Sequence, residues 1–168
     1  LNNLKQAAKT MNFLTEHGIS SYGELESKLT AVSARRDTAH TEIKRIESRS
    51  AELALVMKHA GTYRQLKPLY DRYRKSNNKE KFLRGHESEI ILFEAAAREL
   101  KRLGAVPLPT TESMKTELAN LSAEKERLLA EYKTARTEVQ EYETVKQNVD
   151  ALLAVPKEQE QQRRHELE

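Results

Sequence analysis

Apolar residues recur every seven positions in two long stretches of this sequence, residues 22–60 and residues 111–153. The clearest register of the first stretch consists of Leu25, Val32, Ala39, Ile46, Leu53 and Ala60. The matching register of the second stretch consists of Met114, Leu121, Leu128, Ala135, Tyr142 and Val149. A sustained heptad repeat is typical of helices that bury one narrow apolar seam against another helix. Each stretch therefore needs a helical partner.

The two stretches have similar lengths, roughly 60 Å each at about 1.5 Å per residue, so each can serve as the partner of the other. We predict an all-α fold, a long antiparallel coiled-coil hairpin with a small helical tip domain and a short N-terminal helix. The predicted segments are an N-terminal helix (1–18), a first coiled-coil arm (19–60), a basic helical tip (61–110), a second coiled-coil arm (111–155) and a disordered tail with a tag remnant (156–168).

The register of this hairpin follows from matching small residues to large ones. One register places Val32 beside Val139 and Ile43 beside Leu128, and a shift by one heptad is the alternative. Polar residues interrupt the seam and should help to fix the register, because misplacing one would bury an unpaired charge. These polar seam residues are Arg36, Ser50, Lys125 and Lys146.

Local signals predict where several helices begin and end. Gly18 is expected to close the first helix in the left-handed conformation, which glycine adopts most readily. Ser21, followed three residues later by Glu24, forms a capping box and predicts the start of the second helix. Pro68 would clash with the preceding turn of a continuous helix, so we predict a break or kink within residues 61–68.

Shorter helices are expected after this break. The pattern predicts helical pieces over residues 69–75 and 79–84, joined by a polar cap at residues 76–78. An apolar helix should then cover residues 87–103. Its apolar residues are too numerous for one stripe, so more than one side of this helix is expected to be buried.

The strongest positive charge of the chain lies between the two heptad stretches. Residues 62–86 hold eight cationic side chains against two carboxylates, whereas the net charge of the whole chain is only +3. Lysine and arginine bind phosphates and release condensed counterions, so this segment predicts an anionic partner such as DNA or RNA. The candidate contact residues are Arg64, Lys67, Arg72, Tyr73, Arg74, Lys75, Lys79, Lys81 and Arg84.

The tyrosines of the basic segment have two interpretations. Tyr63, Tyr70 and Tyr73 could stack on unpaired bases or donate hydrogen bonds to phosphate oxygens. Alternatively, Tyr70 and Tyr73 share one helical face that packs on the apolar helix at residues 87–103, which leaves the neighbouring cations exposed. Packed tyrosines with exposed cations are compatible both with an anionic ligand and with cations that only cover a solvated helix.

Signals for catalysis are absent from the sequence. There is no cysteine, the five glycines are isolated rather than grouped in a phosphate loop, and the five histidines are scattered without metal-ligand spacing. No run of about 18 apolar residues predicts a membrane span. We therefore expect a non-enzymatic chain with no catalytic residue, metal site, cofactor or membrane partner.

Several strings in the sequence point to a family. The chain contains, in this order, "MNFLTEHGISSYGELESK", "YDRYRKS", "KFLRGHESEIILFEAAARELKRLG", "LP" and "AEYKTARTEVQEYETVKQNVDALL". Together they resemble the C-terminal helical region of mobilisation relaxases, which conjugative and mobilisable elements of Gram-positive bacteria encode. The resemblance covers residues 8–155. Relatives usually continue helically where this chain has Lys67 and Pro68, so a bend here would depart from the family pattern.

The resemblance implies a role in DNA mobilisation. Such relaxases nick one DNA strand with an N-terminal nuclease domain that uses a tyrosine and a histidine-bound metal, and no such site can be assembled here. What remains is a non-catalytic accessory region in the bacterial cytoplasm that binds transfer-origin DNA or docks to relaxosome or coupling proteins. The alternative is a coiled-coil protein interaction module without DNA binding. A monomer is expected, because the hairpin closes its own seam.

Overall fold

The structure, a computed structural model, describes residues 2–165, with side chains for residues 3–154 and 162–164. Within this range the chain forms four helices, namely α1 (Asn2–Glu16), α2 (Tyr22–Lys75), α3 (Lys79–Arg102) and α4 (Thr111–His165). The two long helices, α2 and α4, pack against each other, which confirms the predicted all-α helical hairpin. Contacts divide the chain into two compact units. One comprises Leu1–Glu42 and Arg127–Glu168, and the other comprises Ile43–Glu126.

The first unit is built around apolar residues of α2 and α4. Its buried cluster consists of Ile19, Leu25, Val32, Val139, Tyr142 and Val145, and the partly buried residues Phe13 and Leu14 of α1 pack against it. The Phe13 ring meets the Tyr142 ring edge-on, with centroids 5.2 Å apart. Gly18 has a φ of +62°, the left-handed conformation expected of a residue that closes α1.

Contacts between α2 and α4 in this unit fit the predicted register. The Tyr22 hydroxyl donates a hydrogen bond to Asp150 Oδ1 at 2.6 Å, and the His40 and Tyr132 rings lie 5.8 Å apart. A shift by one heptad would move each of these partners by about 10 Å along the helix axis. The register without this shift is therefore the one adopted.

The second unit packs α3 against the C-terminal half of α2 and the start of α4. Its buried apolar residues are Ile43, Ile46, Leu53, Val56, Ala60, Ile90, Phe93, Ala96, Leu100, Ala105, Met114 and Leu121. Lys125 Nζ lies 3.1 Å from Glu47 Oε1, which again matches the predicted register. The seam lysine thus pairs with a carboxylate of the facing helix instead of being buried without a partner.

Of the break or kink predicted within residues 61–68, the break is wrong, because α2 continues through this segment with Pro68 inside it. A proline in a helix interior costs about 3 kcal/mol, since it lacks a backbone donor and clashes with the preceding turn. Tyr63 and Tyr70, one on each side of Pro68 in the sequence, both stack on Phe93, with centroids 4.8 and 4.2 Å away. Burial and ring stacking against α3 offset the cost of the proline and keep α2 continuous.

The pieces predicted at residues 79–84 and 87–103 are joined in one helix, α3, with a kink between them. His86 has non-helical backbone angles, φ −141° and ψ 26°. At the start of the helix the Asn78 side chain accepts a hydrogen bond from the backbone N–H of Lys81 at 3.0 Å. The predicted polar cap at residues 76–78 is therefore confirmed.

The prediction that the apolar helix buries more than one side is wrong. Its buried residues, Ile90, Phe93, Ala96 and Leu100, form a single stripe. The neighbouring residues Ile91 and Leu92 are 56% and 55% exposed. One stripe suffices because α3 packs on one side only within the described residues, which leaves Ile91 and Leu92 facing solvent.

The backbone of α4 is helical through His165, and it thus extends into the segment from residue 156 for which the sequence predicts disorder. Glutamate, glutamine, lysine and arginine dominate this segment, and all four have high helix propensity. Residues 166–168, which include the predicted tag remnant Leu167-Glu168, lie outside the described residues.

Candidate nucleic-acid interface

The basic turn, which we define as residues 72–84, joins the end of α2 to the start of α3. It carries six cationic side chains and one carboxylate, that of Glu80. Side-chain and backbone hydrogen bonds shape the connection. The Ser76 N–H donates to the Tyr73 carbonyl at 3.2 Å, and the Asn78 N–H donates to Ser76 Oγ at 3.2 Å. These bonds bring the cations of two helix ends to one place.

An aromatic layer lies between α2 and α3 beneath the basic turn. Tyr63 and Tyr70 stack on Phe93, and the Tyr73 ring lies 5.9 Å from Tyr70 and 6.1 Å from Phe82. All three tyrosines are partly buried. The structure therefore supports the interpretation in which the tyrosines pack against the apolar helix and the neighbouring cations face solvent.

The Tyr70 phenol is held in this layer by α3. Its hydroxyl donates to Glu94 Oε1 at 3.4 Å. Burial raises the pKa of Tyr70 above its ordinary value of 10.0, and the Glu94 carboxylate raises it further. The hydroxyl is thus a neutral donor to its own chain at physiological pH and is already engaged.

Five cations of the basic turn are exposed and make no ion pair with any residue that the structure describes. They are Arg72, Arg74, Lys75, Lys79 and Lys81. The first three lie in the last turn of α2, where a positive charge interacts favourably with the helix dipole. Lys79 and Lys81 lie in the first turn of α3, where the same effect is unfavourable.

The placement of Lys79 and Lys81 cannot be attributed to the stability of α3. Asp and Glu are preferred in the first turn of a helix, and a lysine there costs about 0.3–1 kcal/mol of helix stability at low salt. Three further cations lie close by at the end of α2 without carboxylate partners among the described residues. An anionic ligand would relieve both the mutual repulsion and the unfavourable interaction with the dipole.

Arg64, predicted as a contact residue, connects α2 to the start of α4. Its guanidinium donates to Thr111 Oγ1 at 2.7 Å and to the Pro109 carbonyl. Thr111 is the first residue of α4, so these bonds fasten the connector after α3 to the side of α2. The structural role of Arg64 was missed by sequence reasoning, because nothing near it in the sequence indicates partners more than 40 residues away.

Two other predicted contact residues pair with carboxylates one helical turn away. Lys67 Nζ lies 3.1 Å from Asp71 Oδ2, and Arg84 pairs with Glu80. Arg84 and Glu80 are largely exposed, and Lys67 and Asp71 are about half exposed, so these pairs contribute little to stability. Among the predicted contact residues, the cationic groups without a partner in the described part of the chain therefore all lie within residues 72–81.

A depression of about 290 Å³ lies between the basic turn and the kink of α3. It is lined by Ser76, Asn78, Lys81, Phe82, Gly85 and His86. His86 Nδ1 is shielded from solvent without a hydrogen-bond partner, and the nearest carboxylate oxygen, Glu89 Oε1, is 3.7 Å away. The kink at His86 places this imidazole against the Phe82 ring, with centroids 4.7 Å apart. Sequence reasoning did not select His86, because its signal is a backbone conformation.

The described residues contain no group of three or more histidine, aspartate or glutamate side chains that could hold a metal ion. None of the helices, over the same residues, is long and apolar enough to cross a bilayer. Compared with protein-family models, curated proteins and solved structures, the chain matches none of them. The unpaired cations of the basic turn are therefore the feature from which a function can be inferred.

Proposed function

We propose that this chain is a non-catalytic helical module that binds the phosphate backbone of DNA through its basic turn. The observation that carries the proposal is the group of five exposed cations without carboxylate partners among the described residues, two of which oppose the dipole of α3. The likeness of the sequence to the C-terminal region of mobilisation relaxases supports an accessory role in such a protein. Transfer-origin DNA is then the expected ligand.

Binding of this kind is driven by the release of counterions from the phosphates. When the logarithm of the association constant is plotted against the logarithm of the salt concentration, each phosphate contact on duplex DNA contributes about −0.9 to the slope. Contacts from all five cations would therefore give a slope of about −4.5. Contacts to phosphates position a protein on DNA without reading its sequence, so the binding should show little sequence preference, with a Kd of about 10⁻⁴–10⁻⁶ M at physiological salt.

A fluorescence-anisotropy titration with labelled oligonucleotides at two salt concentrations tests the proposal. The first variant replaces Arg72, Arg74, Lys75 and Lys79 with glutamate, and we expect it to lose measurable binding. The control variant replaces Lys58, Lys115, Lys133 and Arg136 with glutamate, which changes the net charge by the same amount at exposed positions outside the basic turn.

The control separates local contacts from the overall charge of the chain. Net charge alone would weaken both variants equally, whereas contacts through the basic turn weaken only the first. Circular dichroism of both variants establishes that their helices are retained. Failure of the wild-type chain to bind DNA at low salt, or equal binding by the first variant and the wild type, would contradict the proposal.

A further inference from the structure

We infer that the DNA bound by the basic turn is double-stranded. The inference rests on the proposed function and concerns the form of its ligand. Two observations carry it, and neither follows from the number of cations. One is that the aromatic rings beside the turn are already packed against one another. The other is that the unpaired cations come from two helices instead of one.

Proteins that bind single-stranded DNA combine cations with aromatic rings on which successive bases stack. Here Tyr63 and Tyr70 both stack on Phe93, and the Tyr73 ring lies 5.9 Å from Tyr70 and 6.1 Å from Phe82. A base could stack on Phe93 only by displacing Tyr63 or Tyr70, and Tyr73 and Phe82 are themselves partly buried in this layer. The basic turn therefore has no fully exposed aromatic ring, the platform on which tight binding of unpaired bases depends.

The cations are placed so that they can reach two rows of phosphates. Arg72, Arg74 and Lys75 belong to α2, and Lys79 and Lys81 belong to α3. Packed helices lie about 8–10 Å apart. The minor and major grooves of B-DNA are about 6 and 12 Å wide. Lysine and arginine side chains are long and flexible enough to make up the difference of a few ångströms. One helix end can therefore approach the phosphates of one strand while the other approaches those of the opposite strand.

Duplex DNA also has the higher charge density. Each phosphate contact contributes about −0.9 to the salt slope on a duplex but about −0.7 on a single strand. Without base stacking to compensate, the single strand should be the weaker ligand. At equal salt we expect the duplex to bind at least about threefold more tightly, because more counterions are released per contact.

The test compares a labelled duplex of 20 base pairs (about two helical turns) with one of its strands, at several salt concentrations. The chain contains six tyrosines and no tryptophan, so its intrinsic fluorescence reports on tyrosine. Tighter binding of the duplex, without quenching of tyrosine fluorescence by the single strand, supports the inference. A single strand that binds as tightly as the duplex, or that quenches this fluorescence, overturns it. Failure of both ligands to bind would instead refute the proposed function.

Two kinds of variant sharpen the comparison. Tyr73→Leu keeps an apolar side chain in the aromatic layer, and we expect it to change both affinities by less than about twofold. Selective loss of single-strand affinity in this variant would overturn the inference. Arg74→Gln and Lys79→Gln each remove one cation, from α2 and α3 respectively, and each should reduce the duplex salt slope by about 1. A reduced slope for only one of them would contradict contacts from both helices.

Discussion

Tyr70 and Phe93 stack face to face, with ring centroids 4.2 Å apart and ring planes inclined by 23°. This pair joins the C-terminal part of α2 to the middle of α3. It lies close in sequence to Pro68, the residue at which α2 would be expected to break, and to the cations at the end of α2. The same contact thus keeps α2 continuous and positions the basic turn.

The first prediction concerns the stability that Phe93 provides. Phe93→Ala removes the ring on which Tyr63 and Tyr70 both stack, and Phe93 is only 5% exposed. We expect the free energy of unfolding to fall by about 3–5 kcal/mol, as for other buried aromatic residues. Urea denaturation followed by circular dichroism measures this change. The control is Leu92→Ala, next to Phe93 but 55% exposed, which should cost less than about 1 kcal/mol.

The second prediction concerns Pro68. Because α2 is continuous and Pro68 is exposed, Pro68→Ala should restore a backbone donor without removing buried contacts. We expect the protein to become more stable, by up to about 3 kcal/mol. The matched change is Gly61→Ala, where an added Cβ meets no atom within 4 Å, with an expected gain of about 0.5–1 kcal/mol. Destabilisation by Pro68→Ala would show that α2 needs the proline.

The third prediction is a pH dependence at the start of α2. The pKa of Glu24 is lowered from its ordinary value of 4.5, chiefly because the carboxylate accepts a hydrogen bond from the Ser20 N–H and a second from the Ser20 hydroxyl. A lowered folded-state pKa stabilises the protein fully above about pH 4.5, and this contribution is lost as pH falls through the folded value.

Glu24→Gln should therefore lower the midpoint of thermal unfolding at pH 7 and have a smaller effect at pH 3. Scanning calorimetry at both pH values measures the difference. Glu126, an exposed glutamate of α4, provides the control, and Glu126→Gln should change neither midpoint appreciably. If Glu24→Gln lowered the unfolding midpoint equally at both pH values, the effect would come from packing and not from the charge of the Glu24 carboxylate.

The fourth prediction concerns the oligomeric state. Because α2 and α4 of one chain supply each other with a partner, we expect a monomer of 19.3 kDa. Light scattering coupled to size exclusion measures the mass over a range of protein concentrations. A mass twice as large that persists on dilution would indicate that another surface of the chain associates.

The sequence predicted the long helices and their register well, because a heptad repeat reports directly on burial. Leu25 and Val32, for example, are buried as their spacing requires. It could not predict that α2 continues through Pro68, because the compensating contacts come from Phe93, which is 25 residues away. It also overestimated the burial of α3, since the presence of Ile91 and Leu92 does not reveal how many helices surround them.

The candidate site was predictable only in part, for a related reason. Composition showed that cations are concentrated in residues 62–86, but it could not distinguish those with a partner from those without one. Arg64 and Arg72 have similar sequence surroundings. Each is next to a tyrosine, Tyr63 or Tyr73, and both lie in α2. Both are exposed, and only the three-dimensional structure shows that Arg64 is hydrogen-bonded to the connector before α4 whereas Arg72 has no partner among the described residues.

The fifth prediction separates these two arginines. Arg64→Met keeps a long side chain but removes the hydrogen bonds to Thr111 and Pro109, so it should lower the free energy of unfolding by about 1 kcal/mol. Duplex DNA affinity should stay within about twofold of wild type. Arg72→Met should show the opposite pattern, with stability within about 0.5 kcal/mol of wild type and a salt slope reduced by about 1. Urea denaturation measures the stability of the two variants, and fluorescence anisotropy measures their DNA binding. Weaker DNA binding by Arg64→Met than by Arg72→Met would contradict the division between structural and contacting cations.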